Sequence, residues 1–140
     1  MLYYSELLKR TFNTEKECKE AEEKENIRIE KEQKEHEKFI TENPDYIDGF
    51  IDYSEWLIET EDFADAQRKL RRAERLDKNN VKVLNLLFLT LYTLVKKNLC
   101  EYNIKEAISV AQKAQDLGNL QYPEQKQELE NILKDIQGNK

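Results

Sequence analysis

Residues 44–80 contain the pattern that most constrains the fold, because apolar side chains recur there every three or four positions in two consecutive stretches. This spacing places them on one side of an α-helix, so it predicts two amphipathic helices joined by a short turn. The first helix carries Ile47, Phe50, Ile51, Ser54, Leu57 and Ile58 on its apolar side. The second carries Phe63, Ala66, Leu70, Ala73 and Leu76.

Residues that begin and end helices flank both stretches. Asn43 is predicted as the N-cap of the first helix, with Pro44 at its first position, where a missing N–H costs nothing. Asp62 is predicted to cap the second helix, and the polar run 77–80 to end it. The result is one helix-turn-helix unit of about 34 residues, and such units rarely bury their apolar faces alone.

A second copy of this unit follows, since residues 63–76 align with residues 104–117. The two copies share a pair of alanines seven positions apart, at Ala66 and Ala73 and again at Ala107 and Ala114. The second copy has about seven additional residues near 96–103, which we expect to lie between its helices.

These two units resemble the tetratricopeptide repeat family over residues 44–121. The family pattern ends in Leu-Asp-Pro-Asn-Asn, and residues 76–80 read Leu-Asp-Lys-Asn-Asn. The chain departs from the pattern by having Phe50 for Trp, Tyr53 for Leu, Ser54 for Gly or Ala, Leu57 for Tyr and Lys78 for Pro. The resemblance implies an all-α, degenerate two-unit array of stacked antiparallel helical hairpins that binds a protein or peptide.

Two further helices complete the array. Residues 83–95 are apolar nearly all round but fall short of the ~20 residues that span a bilayer, which predicts a central, buried helix. The alternative for this helix is a second, exposed face used for dimerisation. Gly118 is predicted to follow a helix C-terminus, and Pro123 to open a last helix that Gly138 and Asn139 end. Its single apolar side is typical of a capping helix, with residues 122–140 forming cap and tail.

The N-terminal third differs in character. Residues 1–13 are rich in aromatic side chains and can pair as a small hairpin, through 2–5 and 10–13, or form a helical turn. This opening resembles that of small uncharacterised phage and bacterial proteins. Thr14 and Glu17 then form a capping box, and no Gly or Pro interrupts residues 14–42, so a long, charged and mostly solvated helix is predicted.

Composition excludes several classes of function. We expect one domain, since 140 residues bury about two-thirds of the unfolded surface. The net charge of −6 argues against direct binding to nucleic-acid backbones. Residues 1–10 lack the basic and apolar regions of a secretory signal. We therefore expect a cytoplasmic protein that has no membrane association and keeps Cys18 and Cys100 as reduced thiols.

The sequence contains no catalytic motif. Its one histidine, His36, lies in a run of Glu and Lys and is expected to be an exposed helical residue. It cannot supply paired Glu-x-x-His metal ligands, and no Ser or Cys lies at a spacing that suggests an activated nucleophile. Glycine-rich phosphate loops and Gly-x-Ser-x-Gly turns are absent as well. We expect a protein that is not an enzyme and has no cofactor or metal.

Two charged stripes are the candidate binding residues. On the first repeat helix, spacings of 3, 4, 3 and 4 align the carboxylates of Asp45, Asp48, Asp52, Glu55 and Glu59 with no intervening Lys or Arg. They form either a solvated surface or a site for a basic partner. On the second helix, a basic strip pairs either with the acidic residues of 15–38 or with an acidic partner. It contains Arg68, Arg71, Arg72 and Arg75.

The family resemblance implies a location for these carboxylates in the fold. It implies that Asp48, Glu55 and Glu59 line a concave, ligand-binding groove with Asp52 at its edge. The chaperone-tail clamp of some family members requires Lys and Asn in that groove. Ile51 and Glu55 stand at the corresponding positions, so this activity is not expected here.

Three hypotheses for function follow. The first is a scaffold or adaptor that binds a basic peptide or protein through the acidic groove. The second is a small phage- or mobile-element-encoded inhibitor that blocks a nucleic-acid-binding protein by acidic mimicry. The third is a structural homo-oligomer, for instance a homodimer, joined through residues 83–95.

Overall fold

The computed structural model describes residues 2–138, in which six helices and one two-stranded hairpin confirm the predicted all-α fold. Met1, Asn139 and Lys140 lie outside the described residues, and with them part of the predicted C-terminal tail. The elements are β1 (Tyr3–Ser5), β2 (Arg10–Phe12), α1 (Glu15–Glu42), α2 (Ile47–Glu59), α3 (Phe63–Leu76), α4 (Val81–Lys97), α5 (Glu101–Asp116) and α6 (Pro123–Gly138). They form two compact units, divided between Glu42 and Asn43, and the grouping of both in one domain stays a prediction.

In the first unit, the hairpin packs against the N-terminal part of α1. Strands β1 and β2 are antiparallel, with Tyr3 opposite Phe12, which confirms the hairpin rather than the helical turn. Phe12 and Cys18 are buried, and the Ser5 hydroxyl donates a 2.7 Å hydrogen bond to Glu22 on α1. Burial, followed by the nearby Glu22 carboxylate, raises the pKa of the Cys18 thiol, so this cysteine is protonated at neutral pH.

Helix α1 begins as predicted, since the Glu17 N–H donates to the Thr14 hydroxyl at 3.1 Å. Ion pairs between residues one turn apart lie along its surface, including Glu15 with Lys19 at 3.0 Å and Glu30 with Lys34 at 3.2 Å. The predicted exposed position of His36 is wrong, because this side chain is half-buried.

The second unit is a succession of helices in which each packs against the next, from α2 to α6, and α2 also contacts α4. The short connections make neighbouring helices antiparallel. The alanines of the repeated pattern all lie in the core, where their small side chains let the helix axes approach closely. Ala66, Ala73, Ala107, Ala111 and Ala114 are each 0% exposed.

Helix α4 is the central helix of this unit, as its apolar sequence predicts. It packs against both α3 and α5, and it is buried at Val83, Leu84, Leu87, Phe88, Leu91 and Val95. The side chains that would form a dimerisation face are therefore already covered, which leaves the half-buried Leu86, Leu89 and Leu94.

Two predicted helix boundaries are wrong. Helix α2 begins at Ile47, three residues late, because Asn43 to Tyr46 form a β-turn closed by the Tyr46 N–H and the Asn43 carbonyl at 3.2 Å. Asn at the first and Pro at the second position suit a β-turn as well as a helix N-terminus. The additional residues near 96–103 lie mostly within α4 and α5, so that just 98–100 connect these helices.

Two helices end in the same hydrogen-bonding motif. After α5, Gly118 has the predicted left-handed backbone (φ 85°), and the Asn119 N–H donates to the Ala114 carbonyl. After α2, the equivalent bond joins Asp62 to Leu57, and the left-handed residue is Glu61 (φ 63°). Both are Schellman motifs, but a side chain at this position carries a steric cost that glycine avoids.

Replacing Glu61 by glycine should therefore stabilise the second unit by about 0.5–1 kcal/mol. Chemical denaturation followed by circular dichroism measures this. The matched control is Glu61→Ala, which removes the same charge but keeps the Cβ atom and should give no such gain.

One buried polar side chain joins the centre of this unit to the α5–α6 turn. Asn85 on α4 is 2% exposed. Its amide donates to the Asn119 carbonyl at 2.9 Å, and its carbonyl accepts from the Gln121 N–H at 2.9 Å. These two hydrogen bonds tie the α5–α6 turn to α4.

The substitution Asn85→Leu should cost about 1–3 kcal/mol of unfolding free energy, because it removes two hydrogen bonds between α4 and the α5–α6 turn. Hydrogen exchange should localise the loss to the Gln121 amide and the α5–α6 turn. Asn85→Asp, which keeps the acceptor for the Gln121 N–H, should retain that amide's protection, and equal loss in both variants would contradict this assignment.

Candidate functional site

The acidic stripe occupies the outward side of α2. This helix buries Phe50, Tyr53 and Leu57 on its opposite side, and the 3–4 spacing turns the carboxylates away from that core. Asp48, Asp52 and Glu59 are exposed, whereas Glu55 is half-buried. Asp45 does not belong to the helical stripe, because it lies in the β-turn before α2. Four carboxylates thus share one helical surface, which is called the acidic stripe below.

Lys82, in the first turn of α4, reaches across to this stripe. Its ammonium lies 3.0 Å from a carboxylate oxygen of Glu55, and both side chains keep solvent contact. The Glu55 hydrogen bond, followed by attraction to Glu55 and then to Asp52 and Asp48, raises the pKa of Lys82 above its ordinary value. Three of the four carboxylates of the acidic stripe therefore attract this one cation, and Glu55 pairs with it directly.

The sequence interpretation missed Lys82. The available signal was its position two residues after the helix cap Asn80, at the start of the helix expected to neighbour α2 in a stacked array. Through its contact with Lys82, Glu55 is partly neutralised within the molecule, and the other three carboxylates of the stripe are exposed to solvent.

The basic strip lies on α3, on the side away from the buried Ala66, Leu70 and Ala73. Arg68 and Arg75 are exposed, and Arg68 Nε lies 3.3 Å from Asp65. The Arg72 guanidinium sits 5.0 Å from the centre of the Phe50 ring of α2, so its charge stays at the surface while its stem packs.

Arg71 departs from the rest of the strip. It turns towards α5 and is held by Glu106, with Glu74 on its own helix at 3.2 Å. The ion pair with Glu106 joins α3 to α5. The exposed basic surface therefore consists of Arg68, Arg72 and Arg75, which are called the arginine strip below.

The acidic stripe and the arginine strip do not meet in one site. Helices α2 and α3 pack through their apolar sides, so their charged sides are turned away from each other. The second unit therefore presents an acidic and a basic surface in different directions.

The last helix is held against α4 by a charged cluster. Glu128 on α6 accepts hydrogen bonds from Lys96 and from the Tyr92 hydroxyl. The Lys96 bond, followed by the Tyr92 bond, lowers the pKa of Glu128, so this cluster stabilises the fold above the ordinary pKa of a glutamate and is lost as the pH falls through the lowered value.

Within residues 2–138, no group of three or more His, Cys, Asp or Glu side chains is placed to hold a metal ion. Over the same residues, none of the helices has the length and apolar character needed to cross a membrane. Cys18 and Cys100 are free thiols, the first buried and the second exposed.

No known protein-family model matches the sequence, and a comparison with curated proteins finds no similar sequence. The tetratricopeptide resemblance consequently depends on the residues of this chain alone.

The contact between Lys82 and the acidic stripe is measurable by NMR titration of the lysine side chain. In the wild type, the Lys82 pKa should lie above that of an exposed lysine, and Glu55→Gln should lower it. Its contribution to stability is present below the ordinary lysine pKa of ~10.4 and is lost as the pH rises through the raised value.

The control for this titration is Glu30→Gln, which removes a comparable carboxylate from the Glu30–Lys34 pair on α1. It should leave the Lys82 pKa unchanged. A Lys82 pKa that Glu55→Gln does not move would contradict the assigned contact.

Proposed function

We propose that this protein is a non-enzymatic, tetratricopeptide-like scaffold that binds a basic peptide or protein through the acidic stripe of α2. The observation that carries the proposal is the exposure of Asp48, Asp52 and Glu59 on one rigid helix with no Lys or Arg among them. Aligned like charges cost a helix stability, and a cationic partner relieves that cost.

The neighbouring helix supplies an apolar component to the same surface. Lys82, Leu86 and Leu89 are four and three positions apart, so they share the side of α4 from which Lys82 reaches Glu55. Both leucines are half-buried and keep part of their apolar surface accessible. A segment with Lys or Arg on one edge and apolar side chains beside them fits this combination.

The tetratricopeptide-like arrangement is supported by the order of packing and by the repeated alanines. Helices α2 and α3 form one pair and α4 and α5 a second, and three residues connect the helices of each pair. In that arrangement the first helices of the pairs line a common groove, and the contact of α2 with α4 agrees with such a groove.

The binding experiment uses two synthetic helical peptides. One carries Arg at every third or fourth position with Leu beside it, and the other replaces each Arg by Glu. Fluorescence anisotropy should show binding of the Arg peptide alone. The affinity should fall at least tenfold between about 50 mM and about 500 mM salt, since exposed charges are screened over this range.

The site is tested by Asp48→Asn/Asp52→Asn, which should weaken Arg-peptide binding about tenfold, because each lost ion pair at a partly apolar surface is worth about 0.5–1 kcal/mol. The matched control is Glu124→Gln/Asp135→Asn on α6, where both residues are exposed and the change in net charge is the same. Equal weakening by both pairs would show a net-charge effect and overturn the proposed site.

A further inference from the structure

In the second unit, the neighbouring helices α2 and α3 carry charges of opposite sign. Helix α2 contains four carboxylates and no Lys or Arg, whereas α3 contains five Lys or Arg and two carboxylates, Asp65 and Glu74. The charged sides of both helices are exposed and turned away from each other. Neither surface can therefore neutralise the other within the same molecule.

The two surfaces match in spacing and length. Asp52 and Glu59 are seven residues apart, and so are Arg68 and Arg75. Seven residues of helix rise about 10.5 Å, so these two pairs of charges have the same separation of two turns along their axes. The helices are 13 and 14 residues long, so one can lie along the whole of the other.

We propose that the arginine strip of α3 docks on the acidic stripe of α2 in a second copy of this chain. The proposal rests on the proposed function in one respect, since it assigns a basic partner to the same carboxylates. The contact is heterologous, because each copy uses its acidic surface on one side and its basic surface on the other. Such contacts add copies head to tail instead of stopping at a dimer.

The contacts of the individual side chains favour this choice of surfaces. The guanidinium groups of Arg68 and Arg75 are exposed and suited to paired hydrogen bonds with a carboxylate, although Arg68 uses its Nε for Asp65 at 3.3 Å. Arg71 is taken up by Glu106 and does not take part. Most apolar residues of α4, which offer the other surface for a homo-oligomer, are buried inside the unit, and Leu86, Leu89 and Leu94 are half-buried.

The association should be weak and sensitive to salt. Exposed ion pairs are worth about 0.2–1 kcal/mol each, and salt screens them. Analytical ultracentrifugation of the full chain at about 50 mM salt should therefore show an average mass that keeps rising with protein concentration. At about 500 mM salt the chain should sediment as a monomer.

Two neutral variants make the test specific. Asp52→Asn/Glu59→Gln removes the two acidic charges that are seven residues apart, and Arg68→Gln/Arg75→Gln removes the basic pair with the same spacing. Both pairs of substitutions lie at exposed helix positions, so each variant should keep its helices and the contact of Arg72 with the Phe50 ring. Each variant alone should be monomeric at low salt, with the association constant at least tenfold below that of the wild type.

An equimolar mixture of the two variants gives the decisive result. The acidic variant retains its arginine strip, and the basic variant retains its acidic stripe, so the mixture can form one contact per pair. We expect a 1:1 complex that does not grow further. A monomeric mixture, or a wild type whose mass is independent of salt and concentration, would overturn the proposal.

The outcome is separable from that of the proposed function. A wild type that stays monomeric but binds the Arg peptide would reject self-association and leave the acidic stripe as a site for another partner. If the wild type associates but does not bind the Arg peptide, the acidic stripe recognises the particular arrangement of arginines on α3 of a second copy and not basic peptides in general. Circular dichroism of both variants confirms that they are folded before either result is interpreted.

Discussion

The close packing of the second unit depends on alanine. Ala66 and Ala73 in α3, and Ala107, Ala111 and Ala114 in α5, have fully buried side chains at the positions where these helices meet their neighbours. A larger residue there would push the helix axes apart, because α3 and α5 pack against α4 and protein interiors are already close-packed. The alanines thus let one apolar helix be covered on two sides by its neighbours in the chain.

This packing also determines which side of each helix carries its charged residues. Once each helix uses one side for the core, its charged residues must share the other, and the net charge of −6 is distributed unevenly over those outer sides. On α1, opposite charges alternate and pair one turn apart, as Lys19 does with Glu15. On α2 and α3, by contrast, the acidic residues are concentrated on one helix and the basic residues on the other. Each of these two surfaces can therefore attract a group of opposite charge.

Sequence periodicity predicts the helices and their buried sides because both follow from local geometry. The seven-residue spacing of alanines identified the packed sides of α3 and α5, and the Thr14 cap and Gly118 turn followed from their side chains or lack of one. The start of α2 was mispredicted since Asn-Pro fits a turn and a helix start equally well. Asn85 and Lys82 could not be assigned, because their partners at Asn119, Gln121 and Glu55 lie 27–36 residues away in the chain.

The same limit applies to the candidate site. The sequence supplies the alignment of Asp48, Asp52, Glu55 and Glu59 on one side of a helix, but not the cation that one of them binds. Like charges one turn apart cost a helix about 0.2–0.5 kcal/mol each, and Lys82 offsets this at Glu55 while Asp48, Asp52 and Glu59 remain exposed. A basic partner that binds the folded helix and not the unfolded chain would stabilise the second unit through mass action. For such a partner, the like-charge repulsion within the acidic stripe and the affinity of binding would be two measures of one electrostatic interaction.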